Sequence, residues 1–172
     1  LIINVFQARE TEENRVKKVI IGLVIALSVF ILGSLVLYQR ASAPYAQARN
    51  ETVTFLTERS DLAQSEDFYW YNGEETIFSV RGYSEQEEEK LYIVKQNGGE
   101  IRTYDVPGTM TEQEAIRQTR QEREPKRILN AKVGWMNDRP IWEVTYKNDN
   151  DRLGYYIIDL ETGEWVRTIE NI

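Results

Sequence analysis

DFYWYNGEETIFSVRGY, residues 67–83, holds two short runs dense in aromatic and β-branched side chains, with Asn72-Gly73 between them. Four consecutive aromatics, Phe68 to Tyr71, suit a strand better than a helix. Side chains alternate along a strand, so two of the four face one side of a sheet and two face the other. The Asn-Gly pair tolerates the positive φ of a tight hairpin, which makes the stretch a pair of antiparallel strands. EKLYIVKQ (89–96) and EIRTYDV (100–106) continue the pattern, separated by the charged loop Ser84 to Glu89 and the turn Asn97-Gly98-Gly99. Four antiparallel strands are predicted in this half.

Working towards the N-terminus, Tyr45, Ala48, Phe55, Leu56 and Leu62 fall near one helical stripe, and Pro suits the first position of a helix, so an amphipathic helix is expected after Pro44. Before it lies VIIGLVIALSVFILGSLVL, residues 19–37, without a charge, flanked by Lys17, Lys18 and Arg40. At about 1.5 Å per residue it spans roughly 28 Å, which matches the hydrocarbon core of a bilayer. Residues 19–38 are therefore read as a transmembrane signal anchor in contact with membrane lipid. Arg9, Arg15, Lys17 and Lys18 precede it, which places residues 1–18 in the cytoplasm as a short tail and the rest outside, close to the lipid surface. Ala41-Ser42-Ala43 and Ala46-Gln47-Ala48 resemble signal-peptide cleavage sites. The apolar run is too long for a signal h-region, however, and Pro44 follows the first site directly, so an uncleaved anchor is the preferred reading.

Towards the C-terminus, Pro107-Gly108 ends the first group of strands, and Thr111-Glu112-Gln113-Glu114 has the form of a capping box that opens a new helix. Ala115, Ile116 and Thr119 form its apolar side, and Pro125 blocks its continuation. RILNAKVGWM (127–136), PIWEVTYK (140–147), LGYYIIDL (153–160) and GEWVRTI (163–169) then read as strands, joined by turn chemistry at 137–140, 148–151 and 161–163. Helix followed by four strands thus occurs twice, with a period near 65 residues, an internal repeat of architecture. The fold class is α+β: a single transmembrane helix, then two units of one helix on an antiparallel sheet, at 44–106 and 109–172.

The chain has a net charge of -7. Residues 1–40 hold five Lys or Arg against three Glu, which leaves 16 against 25 for residues 41–172, a net of -9. Such an acidic outer part is unsuited to nucleic acid, whose phosphates require a basic patch. There is no Cys and no His, so disulfides, Cys-His and Ser-His-Asp catalysis and the common zinc sites are excluded. The run Glu85 to Glu89 is a solvated loop in preference to an acid-base pair, since a general acid needs an apolar setting. Asn148 to Asp151 lacks calcium-loop spacing and reads as a turn, and Asp159 is placed to accept hydrogen bonds from the Thr162-Gly163 turn. Asn50-Glu51-Thr52 fits a glycosylation sequon but sits in the expected helix. No catalytic residue, cofactor or metal ligand is expected.

TEQEAIRQT (111–119), PIWEVTYKND (140–149) and GYYIIDLETGEWV (154–166) resemble the PepSY domain, a helix followed by strands that end in a Tyr, Ile or Val, Asp and Thr-Gly pattern. Tyr156, Ile158, Asp159, Thr162 and Gly163 stand where that pattern requires them. The plan of the whole chain, tail, anchor and two helix-plus-sheet units, is similar to the YpmB/TseB-like membrane proteins of Gram-positive bacteria. The resemblance implies two cystatin-like domains and a non-enzymatic role in cell-wall elongation, through association with a penicillin-binding transpeptidase.

Two uses are open for the aromatics. Core packing is one, for Trp135, Trp142, Tyr146, Tyr155, Tyr156 and Trp165 as for Phe68 to Tyr71; a protein-binding surface is the other, since Trp and Tyr anchor interfaces. Tyr69, Trp70 and Tyr71 are the candidate partner-binding residues. Three functions follow in order of preference: an anchored extracellular binding module that regulates cell-wall synthesis, a PepSY-type extracellular peptidase inhibitor or regulator, and a carboxylate enzyme acting on wall polymer.

Overall fold

The computed structural model describes residues 2–97, 99–170 and 172, with the side chains of 2–16 and 19 left out of the description. The cytoplasmic tail expected at residues 1–18 lies, as far as residue 16, outside the residues with described side chains. The chain divides into two compact units, Leu1–Ala46 and Gln47–Ile172.

The first unit is helical and belongs to α1, which spans Ile2–Arg59. The portion from Ile20 is long and apolar enough to cross a membrane. Its leucines, isoleucines and valines from Ile20 to Leu37 are exposed, with no protein covering them. Ser28 and Ser34 donate their hydroxyls to the carbonyls of Val24 and Phe30, each at 2.8 Å, so neither leaves a polar group unpaired among apolar neighbours. Contrary to the expectation of a helix starting after Pro44, that residue lies inside α1. Proline at this point removes a single amide donor, and the surrounding Ala41, Ala43 and Ala46 are the strongest of helix formers.

The second unit contains the last turns of α1 and two four-stranded antiparallel meanders. The first sheet runs β1 (Leu62–Asn72), β2 (Thr76–Ser84), β3 (Glu89–Lys95), β4 (Ile101–Asp105), in that spatial order. A 3-10 turn at Val106–Gly108 leads to α2 (Glu112–Arg123). The second sheet runs β5 (Arg127–Met136), β6 (Arg139–Lys147), β7 (Leu153–Asp159), β8 (Trp165–Glu170), again in chain order. The α+β class and the repeat of one helix and four strands therefore hold.

Both faces of the first sheet are covered. Phe68, Val80, Tyr92 and Val94 are buried with Leu56 of α1, while Ala48 and Val53 pack against the same cluster. On the opposite face Tyr69, Tyr71, Ile77, Leu91 and Ile93 join the core of the second sheet. The helical stripe is thus Ala48, Val53, Phe55 and Leu56, with Thr52 buried beside them; Tyr45 is 47% exposed and Leu62 opens β1. Strand β1 begins five residues before the expected Asp67 because register shifts at Leu62/Gln64 and Ser65/Asp67 interrupt the alternation by which a strand is read.

The turns divide by backbone geometry. Asn137 and Asp138 both have positive φ, 51° and 59°, and close the two-residue hairpin between Met136 and Arg139. Gly73, from which the sequence reading required positive φ, does not have it. Its glycine is needed because a Cβ there would run into the Tyr71 ring, and Gly134 of β5 meets the same ring, with a Cβ only 2.7 Å from it. One tyrosine thus fills the space left by two glycines, one in the β1–β2 turn and one on β5.

Helix α2 has the expected capping box: Thr111 Oγ1 accepts from the Glu114 amide at 3.3 Å, and Glu114 Oε2 accepts from the Thr111 amide at 2.9 Å. It ends at Glu124, which is left-handed with φ 43° ahead of Pro125. Ala115 and Thr119 are buried, the Thr119 hydroxyl donating to the Ala115 carbonyl at 2.8 Å. Asp159, 5% exposed, accepts from the amides of Glu161 at 3.0 Å and Thr162 at 2.9 Å, while Gly163 takes φ 72°. Burial acts to raise the Asp159 pKa, but those amide hydrogen bonds and Arg139 outweigh it and hold the carboxyl below its ordinary 3.8.

Two outcomes follow. Gly134→Ala should cost about 1–3 kcal/mol in a denaturant titration of the full chain, and Tyr71→Leu in the same molecule should recover part of the loss. For Asp159 the folded pKa is the lower one, so its stabilisation is complete above the ordinary carboxylate range and lost as pH falls through the folded value. Asp159→Asn should therefore lower stability by about 1.5–3 kcal/mol at neutral pH, with the deficit shrinking below pH 3.8.

Candidate functional site

Rows of paired residues across the first sheet set up a cleft. Asp67, Arg81 and Leu91 are register partners on β1, β2 and β3, and Tyr69 follows two residues after Asp67 on the same face. The 3-10 turn, with Pro107 as its second residue, carries the chain from β4 to Met110, whose carbonyl accepts from Trp142 Nε1 at 2.7 Å. Trp142 of β6 and Tyr69 then meet edge to face, with ring centroids 5.4 Å apart and planes at 89°. The enclosed space has a volume of about 440 Å³. Tyr69, Leu91, Val106, Met110 and Trp142 supply its apolar lining, while Asp67, Arg81, Glu89 and Glu112 supply its charge.

The charges are tied down. Arg81 donates Nε to Asp67 Oδ2 at 2.9 Å, a second bond from Nη2 to the same oxygen, and Nη1 to Glu89 Oε1; Glu66 lies 3.1 Å from Nη2. Burial works against the Arg81 charge, but the hydrogen bonds to Asp67 and Glu89 outweigh it and raise its pKa. Tyr69 donates its hydroxyl to Glu112 Oε2 at 2.9 Å, and burial first, then the Glu112 charge, pushes the phenol well above its ordinary range. Glu112 stands in the first turn of α2, where the helix dipole favours a carboxylate. The guanidinium separates Glu66, Asp67 and Glu89, and among the described residues no three acidic side chains converge as metal ligands.

The three candidate aromatics have been dispersed. Tyr69, 8% exposed, lines this cleft. Tyr71 lines a second, polar hollow of about 400 Å³ with Lys132, Glu143 and Tyr155. Its phenol is pushed up to about 12 by burial and then by the charges of Glu143 and Glu74. Trp70 points to the helix-side face, half-buried against Phe78 with centroids 5.5 Å apart, and donates Nε1 to Asn72 at 2.9 Å. Trp165 is more exposed than Trp70, at 59%, and is held by a 2.8 Å bond from Nε1 to Thr168. Trp135 is covered instead, with Arg102 and Lys95 over its ring at 4.5 and 5.0 Å.

Sequence reasoning passed over Arg81 and met the others in different roles: Trp142 among the aromatics open to core or interface use, Glu112 in the capping box, and Glu89 as the end of a solvated loop, whereas Glu89 opens β3 and accepts from Arg81. A signal for Arg81 was available: it follows Ile77 and Ser79 at even spacing on a strand, so a charge there points to a buried face and demands partners. Glu112 gave none, because an acid in the first turn of a helix has a sufficient reason in the dipole.

Several comparisons bear on the chain. A family model, the cell wall elongation regulator TseB-like domain, matches residues 51–95, about a quarter of the chain, from the last turns of α1 through β3. A search of curated proteins finds no match. Among solved structures, the YpmB protein from Bacillus subtilis is similar with a TM-score of 0.61 at 18% identity, over 67% of this chain and 91% of that one. The CD1622 protein of Clostridium difficile 630 aligns with a TM-score of 0.40 at 15% identity, over 74% of this chain and 92% of the other. The likeness to YpmB is one of fold.

Removing the Tyr69 hydroxyl should loosen the join between β1 and α2. Tyr69→Phe is expected to cost about 0.5–1.5 kcal/mol in thermal or denaturant unfolding, and in Glu112→Gln the same substitution should cost less.

Proposed function

From the premise that this chain resembles the YpmB/TseB-like family, in the sequence of residues 51–95 and in fold, we propose that it is a membrane-anchored regulatory protein of cell-wall elongation. The match to the TseB-like domain is the observation that carries the reading. In this proposal α1 crosses the cytoplasmic membrane with its N-terminus inside, and the segments 44–106 and 109–172 work on the outer side. They act by binding, and the partner is a penicillin-binding transpeptidase.

Two further observations support it. The apolar side chains from Ile20 to Leu37 need a covering, and a bilayer supplies one at a helix of that length. In the cleft around Arg81 each lining carboxylate already accepts a hydrogen bond from Arg81 or Tyr69, an arrangement that holds a surface in shape. Tyr69 contributes through the cleft it lines, Tyr71 through the neighbouring hollow, and Trp70 with Trp165 through their exposed area.

Because the chain has no cysteine, single-cysteine variants report topology without background. Asp149→Cys should react with a membrane-impermeant maleimide in intact cells and Glu12→Cys only after permeabilisation; the reverse pattern overturns the orientation. Crosslinking of the tagged full-length chain in growing cells, followed by mass spectrometry, should capture a penicillin-binding protein. Stoichiometric capture of an extracellular peptidase instead would turn the reading to peptidase control.

A further inference from the structure

We propose that the cleft between β1–β3 and the first turn of α2 receives a short extended segment of a partner protein in which a lysine or arginine stands between apolar residues. The inference rests on the reading of this chain as a binding module, and specifies the chemistry of what it binds.

Charge selects the cation. Three carboxylates, Asp67, Glu89 and Glu112, line the space against one guanidinium. Arg81 has little left for an anion, because Nε and Nη2 bond Asp67, Nη1 bonds Glu89, and Glu66 lies 3.1 Å from Nη2, which commits most of its five N–H donors and neutralises its charge. A carboxylate, by contrast, has about four lone-pair sites, so Asp67, Glu89 and Glu112 each keep acceptor capacity after the bonds they make inside the protein. An incoming ammonium or guanidinium meets three carboxylates and a single fixed positive charge. The net of -9 on residues 41–172 adds a long-range attraction for the same sign of partner.

Shape selects a side chain with an apolar stem on a chain with apolar neighbours. Tyr69, Leu91, Val106, Met110 and Trp142 form a continuous wall beside the carboxylates, so a lysine or arginine stem has apolar surface to cover while its head reaches the acids. The volume of about 440 Å³ lies within the range of pockets that take peptide side chains and small ligands. A bare metal ion would leave that wall unused, and a free polyamine would cover it without apolar neighbours to fill the remainder.

The test uses the full chain in growing cells. A photo-crosslinking amino acid at Thr109, which lines the cleft, is compared with one at Trp165, and the crosslinked partner peptide is mapped. The expected result is capture from Thr109 of a segment with a lysine or arginine flanked by apolar residues. Glu89→Gln with Glu112→Gln, which keep size and hydrogen bonding, should reduce that capture about tenfold with an unchanged circular dichroism spectrum. With the purified full chain in detergent, binding of the synthetic mapped peptide should weaken as salt rises from ~50 mM to ~500 mM. A mapped segment that is acidic or lacks a basic residue overturns the proposal, as does capture indifferent to the double substitution, or absence of capture from Thr109 when Trp165 captures. The two readings separate cleanly: partner capture at Trp165 unaffected by the cleft variants defeats the cleft and leaves the regulatory role standing. A basic segment captured in the cleft from a protein outside wall synthesis does the opposite.

Discussion

The first sheet has to be covered on both sides, and the rest of the second unit is arranged to do so. Phe68 and Tyr69 are neighbours on β1 and point in opposite directions, yet both are below 10% exposed. A sheet with one wet face would leave an aromatic row in water. Here the end of α1 lies over Phe68, Val80 and Tyr92, and the second sheet meets Tyr69, Tyr71 and Ile93. With no cysteine in the chain, this double burial has to supply the cohesion without any covalent crosslink.

Much of the fold could be read from residue order. Short aromatic runs separated by turn residues, and a capping box ahead of Ala115, define the strands and α2 directly, and the structure matches them closely. The misreadings came where one local rule was outweighed by another. Pro44 suggested a helix start, but a single missing amide is a smaller matter than a run of alanines that favour helix on either side. Leu62 fell in with the helical stripe and the strand pattern became visible only from Asp67, because bulges shift the intervening side chains off a strict alternation. Asn72-Gly73 suggested positive φ, whereas its glycine answers to the Tyr71 ring two residues earlier, and that ring's position depends on Gly134 of β5, some sixty residues away.

The site was legible only in part. The sequence pointed to Tyr69 as one of a trio, but a strand distributes such a trio over two faces, and the structure gives each member a different neighbourhood. What makes a cleft is the meeting of Asp67, Arg81 and Glu89 from three strands with Glu112 and Trp142 from beyond the 3-10 turn. Each of these looks ordinary in its own segment. Their grouping depends on register and on the approach of the two sheets, which periodicity in a single strand does not encode.

Tyr71 gives the repeat its historical limit. Two copies of helix plus four strands look like modules that could be exchanged, duplicated or inherited separately. The ring of one copy, however, occupies a gap kept open by Gly134 of the other, and Gly73 beside it is kept small by the same ring. A half taken alone would carry either an uncovered aromatic or an unfilled groove. The copies have become a lock and its key, and a lineage that drew a new second half from elsewhere would have to recut both.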